Sequence, residues 1–274
     1  MLVTSVAISC GILLAAAPAR AEPRVRVTGT GTALGAMRQI TAAYAEAYPG
    51  ERAEVLPSVG SAGALRAVAE GALDVALSGR PLEPMERGLG LVERAYARTP
   101  FLFAVGKRVL VRTVTRNELA RLYRGDLDRW PNGERARLVL RPRTDADTRL
   151  LRAISPEMAE AVEASFHRDG MLVAATNQEC DAILARTPGA VGPSTLTQLV
   201  TESRALTPLA LDGVEPTLAN LASGVYPLAK TLYVVVGPRP SERARRFVAF
   251  LGSPEARRIL ERTGNIPMPF EPVE

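Results

Sequence analysis

Apolar positions along this chain recur with two different periods. Short strand-length runs fall at Val25 to Val27, Ala53 to Leu56, Asp74 to Ser78, Phe101 to Val105, Arg137 to Leu140, Ala190 to Gly192 and Thr231 to Val236. Between them, apolar residues recur every three or four positions, as on one face of a helix. Leu34, Met37, Ile40, Thr41 and Tyr44 mark a first helix that Pro49-Gly50 stops, and Leu65, Val68, Ala69 and Leu73 mark a second. Further helices are expected over Arg116 to Tyr123, Thr148 to Ile154, Pro156 to Phe166, Glu179 to Ala185, Thr217 to Leu221 and Ser241 to Leu251. The alternation predicts an α/β protein with mostly parallel strands and no fixed-period repeat.

Two turns stand where a strand pattern gives way to a helix pattern: Thr28-Gly29-Thr30-Gly31-Thr32-Ala33-Leu34, and Ser58-Val59-Gly60-Ser61-Ala62-Gly63. Each places small hydroxyls and bare backbone N–H groups at a helix N-terminus. The unpaired amides of a first helical turn and the positive end of the helix dipole favour a small anion without any basic side chain. Binding is therefore the leading expectation.

The N-terminus predicts where the protein works. Val3 to Ala17 is apolar but too short to span a bilayer, and Ala19-Arg20-Ala21 before Glu22-Pro23 has the form of a processing site. We read residues 1–21 as a secretory signal cleaved after Ala21, which implies a periplasmic protein; an uncleaved anchor is the alternative, since Met1 to Ser5 carries no Lys or Arg. Cleavage removes Cys10 and leaves Cys180 without a disulfide partner in its own chain.

The remaining chain of about 250 residues is long enough for a large core and commonly divides into two lobes. The formal charge of the full sequence, +5, is mild, and its arginines are scattered among acids, so nothing marks a nucleic-acid partner. The single histidine, His167, lies in the polar run Phe166-His167-Arg168-Asp169-Gly170 and reads as a surface residue. No His/Cys cluster points to a metal, and no cofactor is expected. The first turn lacks the third glycine of a dinucleotide fingerprint, and no G-K-[ST] follows. Trp130, beside Pro131, reads as a packing residue.

A family resemblance covers nearly all of the chain after residue 21. Gly29 to Leu34, Gly60-Ser61-Ala62-Gly63 and Asp74-Val75-Ala76-Leu77-Ser78-Gly79-Arg80-Pro81-Leu82 resemble the phosphate-binding subunit of phosphate ABC transporters. So do Asn117 to Gly125 with Trp130 to Gly133, Arg141-Pro142-Arg143, Leu211 to Thr217, and Gly224-Val225-Tyr226-Pro227-Leu228-Ala229-Lys230-Thr231-Leu232-Tyr233. The resemblance implies an α/β, two-lobed type II periplasmic binding protein fold with two crossover strands and a ligand cleft between lobes. Phe101 to Val105 and Thr231 to Val236 are the expected crossovers, giving lobe one as 22–104 plus 232–274 and lobe two as 105–231. It also implies a monomer without catalysis, which takes phosphate or a similar oxyanion and hands it to a membrane permease.

Carried over by position, the oxyanion contacts fall on Thr32 and Ala33 with Thr30 and Gly31 beside them, on Ser61, on Ser78 and Gly79, and on Arg141, whose planar fork suits an oxyanion. The chain then departs from the family. Where Ser-Gly-Thr precedes a helix in the family, Thr144-Asp145-Ala146-Asp147-Thr148 stands here, and Gly79 replaces a frequent carboxylate. A carboxylate about 4 Å from a single negative charge costs roughly 4 kcal/mol at an effective dielectric of 20. Three readings follow. Asp145 and Asp147 cap the helix near Thr148, or one accepts the proton of hydrogen phosphate, or the ligand is a non-phosphate solute that a PBP-like protein presents to a membrane sensor.

Overall fold

The computed structural model describes residues 24–106 and 108–273; the expected signal segment and cleavage site, Cys10 and Lys107 lie outside the described residues. In chain order the first elements are β1 (Val25–Gly29), α1 (Gly31–Ala47), β2 (Ala53–Val55), α2 (Gly60–Ala69), β3 (Val75–Ser78), α3 (Pro84–Gly88) and β4 (Val92–Gly106). Then come β5 (Thr113–Val114), α4 (Arg116–Arg124), β6 (Arg137–Leu140), α5 (Ala146–Arg152), α6 (Pro156–Ser165), β7 (Leu172–Val173), α7 (Asn177–Arg186) and β8 (Ala190–Thr195). The last are α8 (Leu196–Thr201), β9 (Leu206–Pro208), β10 (Ala210–Leu211), α9 (Leu218–Ala222), β11 (Ala229–Val236), α10 (Glu242–Phe250), α11 (Pro254–Arg262) and β12 (Ile266–Pro267). No helix among them is long and apolar enough to cross a membrane.

The main sheet runs β2-β1-β3-β11-β4-β8-β6-β7. Its flanks are parallel, β1 with β2 and β3, and β6 with β7 and β8. Its centre is antiparallel: β11 against β3 and β4, and β4 against β8. The expectation of mostly parallel strands therefore holds only on the flanks. The physical reason is that β4 carries the chain from one half of the sheet to the other and β11 brings it back, so the two must run in opposite directions. β4 pairs with β11 from Val92 to Pro100 and with β8 from Phe101 to Val105. Its first nine residues escaped sequence reading because Glu93, Arg94 and Arg98 interrupt the apolar alternation.

Each half of the sheet is covered on both faces. In the first, Val27, Val75, Leu232 and Val234 pack against Leu34, Met37, Ile40 and Tyr44 of α1 and Phe247 and Ile259 of α10 and α11, while Leu65 and Val68 of α2 cover Ala76 and Val235 opposite. In the second, Phe101, Phe103, Leu138 and Leu140 meet α4, α6 and Trp130, while Leu102, Ala104 and Val139 meet Cys180 and Leu184 of α7. Full burial of each Val, Leu, Ile, Met or Phe side chain among them contributes about 1.5–3 kcal/mol.

Local signals set the helix ends. The Thr115 hydroxyl accepts from the Glu118 amide at 3.1 Å while Glu118 accepts from the Thr115 amide at 2.8 Å, starting α4, and left-handed Gly125 ends it. Helix α5 starts at Ala146, two residues before the expected Thr148, because Asp145 caps it by accepting from the Asp147 amide at 2.9 Å. Helix α7 likewise starts at Asn177 rather than Glu179, capped by Thr176. Ser253-Pro254, an N-cap followed by Pro at the first helical position, opens α11, a helix the periodicity alone did not predict.

Candidate functional site

The first turn is shaped by contact between strands. Gly29 ends β1 so close to β3 that a Cβ there would lie 1.9 Å from the Leu77 carbonyl oxygen, and Thr30 N donates to that same oxygen at 2.8 Å. The chain then turns straight into α1. Thr30 is the N-cap residue but its side chain makes no capping bond. Its hydroxyl instead donates to Asn177 Oδ1 at 3.4 Å, across to the second half of the protein. Thr32 Oγ1 donates to Gln198 Oε1 at 3.3 Å, also across that divide, and Gln178 Nε2 donates to the Gly31 carbonyl at 2.9 Å.

The second turn is tied to the first by Ser58, whose hydroxyl donates to the Gly29 carbonyl at 2.8 Å. Ser61, in the first turn of α2, accepts from the Gly79 amide at 3.0 Å, which leaves its own proton free to be donated. Ser78 is turned inward: its hydroxyl donates to the Arg80 carbonyl at 2.6 Å and accepts from the Arg80 amide at 3.2 Å. Ala33 is buried in α1. Thr148 donates to the carbonyls of Arg141 and Pro142, at 3.3 and 2.9 Å, and so fixes the loop that carries Arg141.

Where these elements meet, four charged side chains are packed together. Lys230 of β11 is 1% exposed, Arg141 2% and Asp147 0%. Lys230 Nζ donates to Asp147 Oδ1, to Thr32 Oγ1 at 2.9 Å and to Thr30 Oγ1 at 3.5 Å. Asp147 Oδ2 accepts from Asn177 Nδ2 at 2.7 Å and lies 3.6 Å from Arg141 Nε. Arg141 Nη2 donates to Asp145 Oδ2 at 2.9 Å and Nη1 to the Ala174 carbonyl, whereas Nε is buried without a hydrogen-bond partner. Two cations thus face two carboxylates. Burial opposes charge on Asp147, but Lys230 and Arg141 outweigh it and hold its carboxyl below the usual range. Burial and the neighbouring Asp147 charge push Asp145 up.

Of the sequence-derived residues, Thr30, Thr32, Arg141, Asp145 and Asp147 meet in this cluster with Gly79 beside it, whereas the Ser78 hydroxyl bonds only the Arg80 backbone and Ala33 makes no side-chain hydrogen bond; two roles also differ. Of the two acids expected to cap a helix, only Asp145 does so; Asp147 is an ion-pair partner at the centre of the cluster. Lys230 was not among the expected site residues. A signal for it existed: Lys230, Leu232 and Val234 alternate on the buried face of β11, so a lone lysine shared an inward face. Gly79 makes room for it, since a Cβ there would lie 2.4 Å from Lys230 Cε. The small residue after β3 thus admits a lysine stem, and the counter-charge comes from α5.

Beyond the cluster, Asp181 is buried with Oδ2 accepting from Gln198 Nε2 at 2.7 Å, and Gln198 in turn holds Thr32. Burial pushes its carboxyl up to about 7 despite Gln198, Ser194 and Arg204, with Glu202 adding to the rise. A folded-state value above the unfolded one stabilises fully below about pH 4, and that contribution is lost as pH rises through about 7. Asp181→Asn should therefore abolish a fall in stability of up to about 4 kcal/mol between those limits. Urea midpoints at pH 4.5, 6 and 8 check this, and equal pH profiles for the two proteins would refute it.

His167 is exposed, Trp130 is buried with Nε1 donating to the Gly189 carbonyl at 3.0 Å, and Cys180 is buried and free. Among the described residues no group of three or more His, Cys, Asp or Glu side chains could hold a metal.

Two parallel-flanked halves joined by antiparallel crossing strands, with polar residues from both halves meeting between them, define a two-lobed α/β binding protein. The chain belongs to the PBP superfamily, whose domain matches residues 15–255. It is similar to the phosphate-binding protein PstS of Bacillus subtilis, at 26% identity over 259 residues, which cover 91% of this chain and 84% of that one. Its fold is also that of a substrate-binding protein from Clostridium perfringens solved with bound phosphate, with a TM-score of 0.80 at 18% identity, covering 90% of this chain and 100% of the other. An ABC-type phosphate transport receptor from Vibrio cholerae matches with a TM-score of 0.63 at 19% identity, over 89% of this chain and 100% of that one.

Proposed function

We propose that this chain is a periplasmic solute-binding protein that takes phosphate or a related small oxyanion and delivers it, as a monomer, to the membrane permease of an ABC transporter. The observation that carries the reading is the fully buried Lys230, which donates to the hydroxyls at the start of α1, with a second buried cation, Arg141, beside the same Asp147. Buried cations held beside helix N-termini form a site for negative charge, and the similar proteins named above are a phosphate-binding protein and a phosphate transport receptor by name. The lobes divide on β4 and β11, and the protein carries out no chemistry of its own.

Isothermal titration with phosphate tests the reading. Ser61→Ala removes a donor to a charged ligand, about 1.5–3 kcal/mol, or roughly ten-fold to a hundred-fold in affinity. Arg141→Ala should cost at least as much because it removes countercharge as well. Unchanged affinity in both variants would discard the site. A second reading, a non-phosphate solute presented to a membrane sensor, is favoured by one observation: Asp145 and Asp147 already neutralise the two cations. A protein that binds neither phosphate nor sulfate, in wild-type form or with Asp147 neutralised, would favour it.

A further inference from the structure

Asp147 stands where an oxyanion would be held. Its two oxygens face the Lys230 ammonium, the Asn177 amide and the Arg141 Nε, the kinds of donor that hold a carboxylate or a phosphate. The fit is incomplete: Arg141 Nε, fully buried, has no hydrogen-bond partner. A planar group with two oxygens, tethered to α5, does not reach every donor in the cluster, whereas a free tetrahedral oxyanion has four oxygens to distribute among them. On the side of α1 and α2, Ser61 accepts from the Gly79 amide and keeps its own proton to donate, and none of the bonds of Asp147 is made to Ser61.

We propose that Asp147 is an internal ligand, a carboxylate of the chain itself that competes with an incoming oxyanion for Lys230 and Arg141 and thereby sets the affinity of the site. The inference rests on the oxyanion reading above and deepens it. Binding requires the Asp147 side chain to leave Lys230, so the ligand must replace a buried ion pair rather than fill neutral space. A small oxyanion that supplies at least as much negative charge as the carboxylate it displaces meets that requirement; a neutral solute does not. Gly79 belongs to the same arrangement, since without a side chain there Lys230 can reach Asp147.

The test uses the mature protein with inorganic phosphate and sulfate as probes. Asp147→Asn keeps the shape and one of the two bonds that the carboxylate accepts, from Lys230 or from Asn177, while removing the competing charge. It should bind both anions at least ten-fold more tightly than wild type, and Asp147→Ser should behave the same way. Because either variant leaves Lys230 buried without its counter-ion, each should melt lower than wild type in anion-free buffer and recover on adding phosphate, so a marginally folded variant still reports through its melting temperature. Binding by the variants when wild type binds neither anion also supports the proposal. Phosphate affinity that is unchanged or weaker in both variants overturns it, including the case where Asp147→Asn loses phosphate and gains sulfate, which would make Asp147 a proton acceptor. Failure of the proposal alone is recognised when wild type binds phosphate and Arg141→Ala abolishes that binding. Absence of binding in wild type and both variants overturns the proposal and the oxyanion reading together.

Discussion

Lys230→Met should be among the most damaging single substitutions in this protein, lowering stability by about 3–5 kcal/mol and abolishing oxyanion binding. The cost does not come from losing a favourable ion pair as such, since burying two charges roughly offsets their attraction. It comes from what is left behind. Asp147 is wholly buried, its carboxyl is held below the usual range, and without Lys230 the cation left beside it among the described residues is Arg141, whose Nε lies 3.6 Å away and whose Nη2 is already bonded to Asp145. Methionine fills the channel beside Gly79 but gives nothing to the carboxylate or to Thr32 Oγ1. Adding Asp147→Asn to Lys230→Met should restore much of the lost stability, because no buried charge is then unpaired. Urea denaturation of the two single variants and the double variant measures the coupling; a loss below about 1 kcal/mol for Lys230→Met would show that the pair is not structurally coupled.

Gly29→Ala should cost about 3 kcal/mol or more, beyond the usual penalty for over-packing, because the obstacle is backbone. A Cβ at Gly29 would lie 1.9 Å from Leu77 O, 2.6 Å from Leu77 C and 2.7 Å from Leu77 N, all within the adjacent strand of the sheet. No rotamer change relieves that contact; β1 and β3 must separate. Gly60 supplies the comparison. A Cβ there meets nothing within 4 Å, and its only demand is a φ of +70°, so Gly60→Ala should cost about 1–3 kcal/mol, the strain of a left-handed backbone. Denaturation midpoints of the two variants check the order. If Gly29→Ala proved no more destabilising than Gly60→Ala, the strand contact would not be what requires glycine.

Much of the architecture could be read from local pattern. The buried face of α1, the two turns that open α1 and α2, and the Thr115/Glu118 pair that starts α4 each follow from residues within a turn or two of one another. The β4 strand could not be read in full, because a strand that crosses between two halves changes neighbours along its length and so loses its alternation. Within the site, Arg141 and Asp145 were found by position, and they also bond each other over four residues. Lys230 and Asn177 were not found, and the part Asp147 plays was left open.

The sequence by itself determined the elements and the anion-friendly helix starts, because periodicity, capping and turn chemistry act over a few residues; the superfamily followed from its resemblance to known sequences. The tertiary structure alone decided the charge balance of the site. Lys230 is 83 positions from Asp147, and Asn177 is 147 positions from Thr30. Whether two charges attract depends on the distance between them in space and on how much water is excluded around them, and both quantities exist only once β11, α5 and α7 have packed against the start of α1.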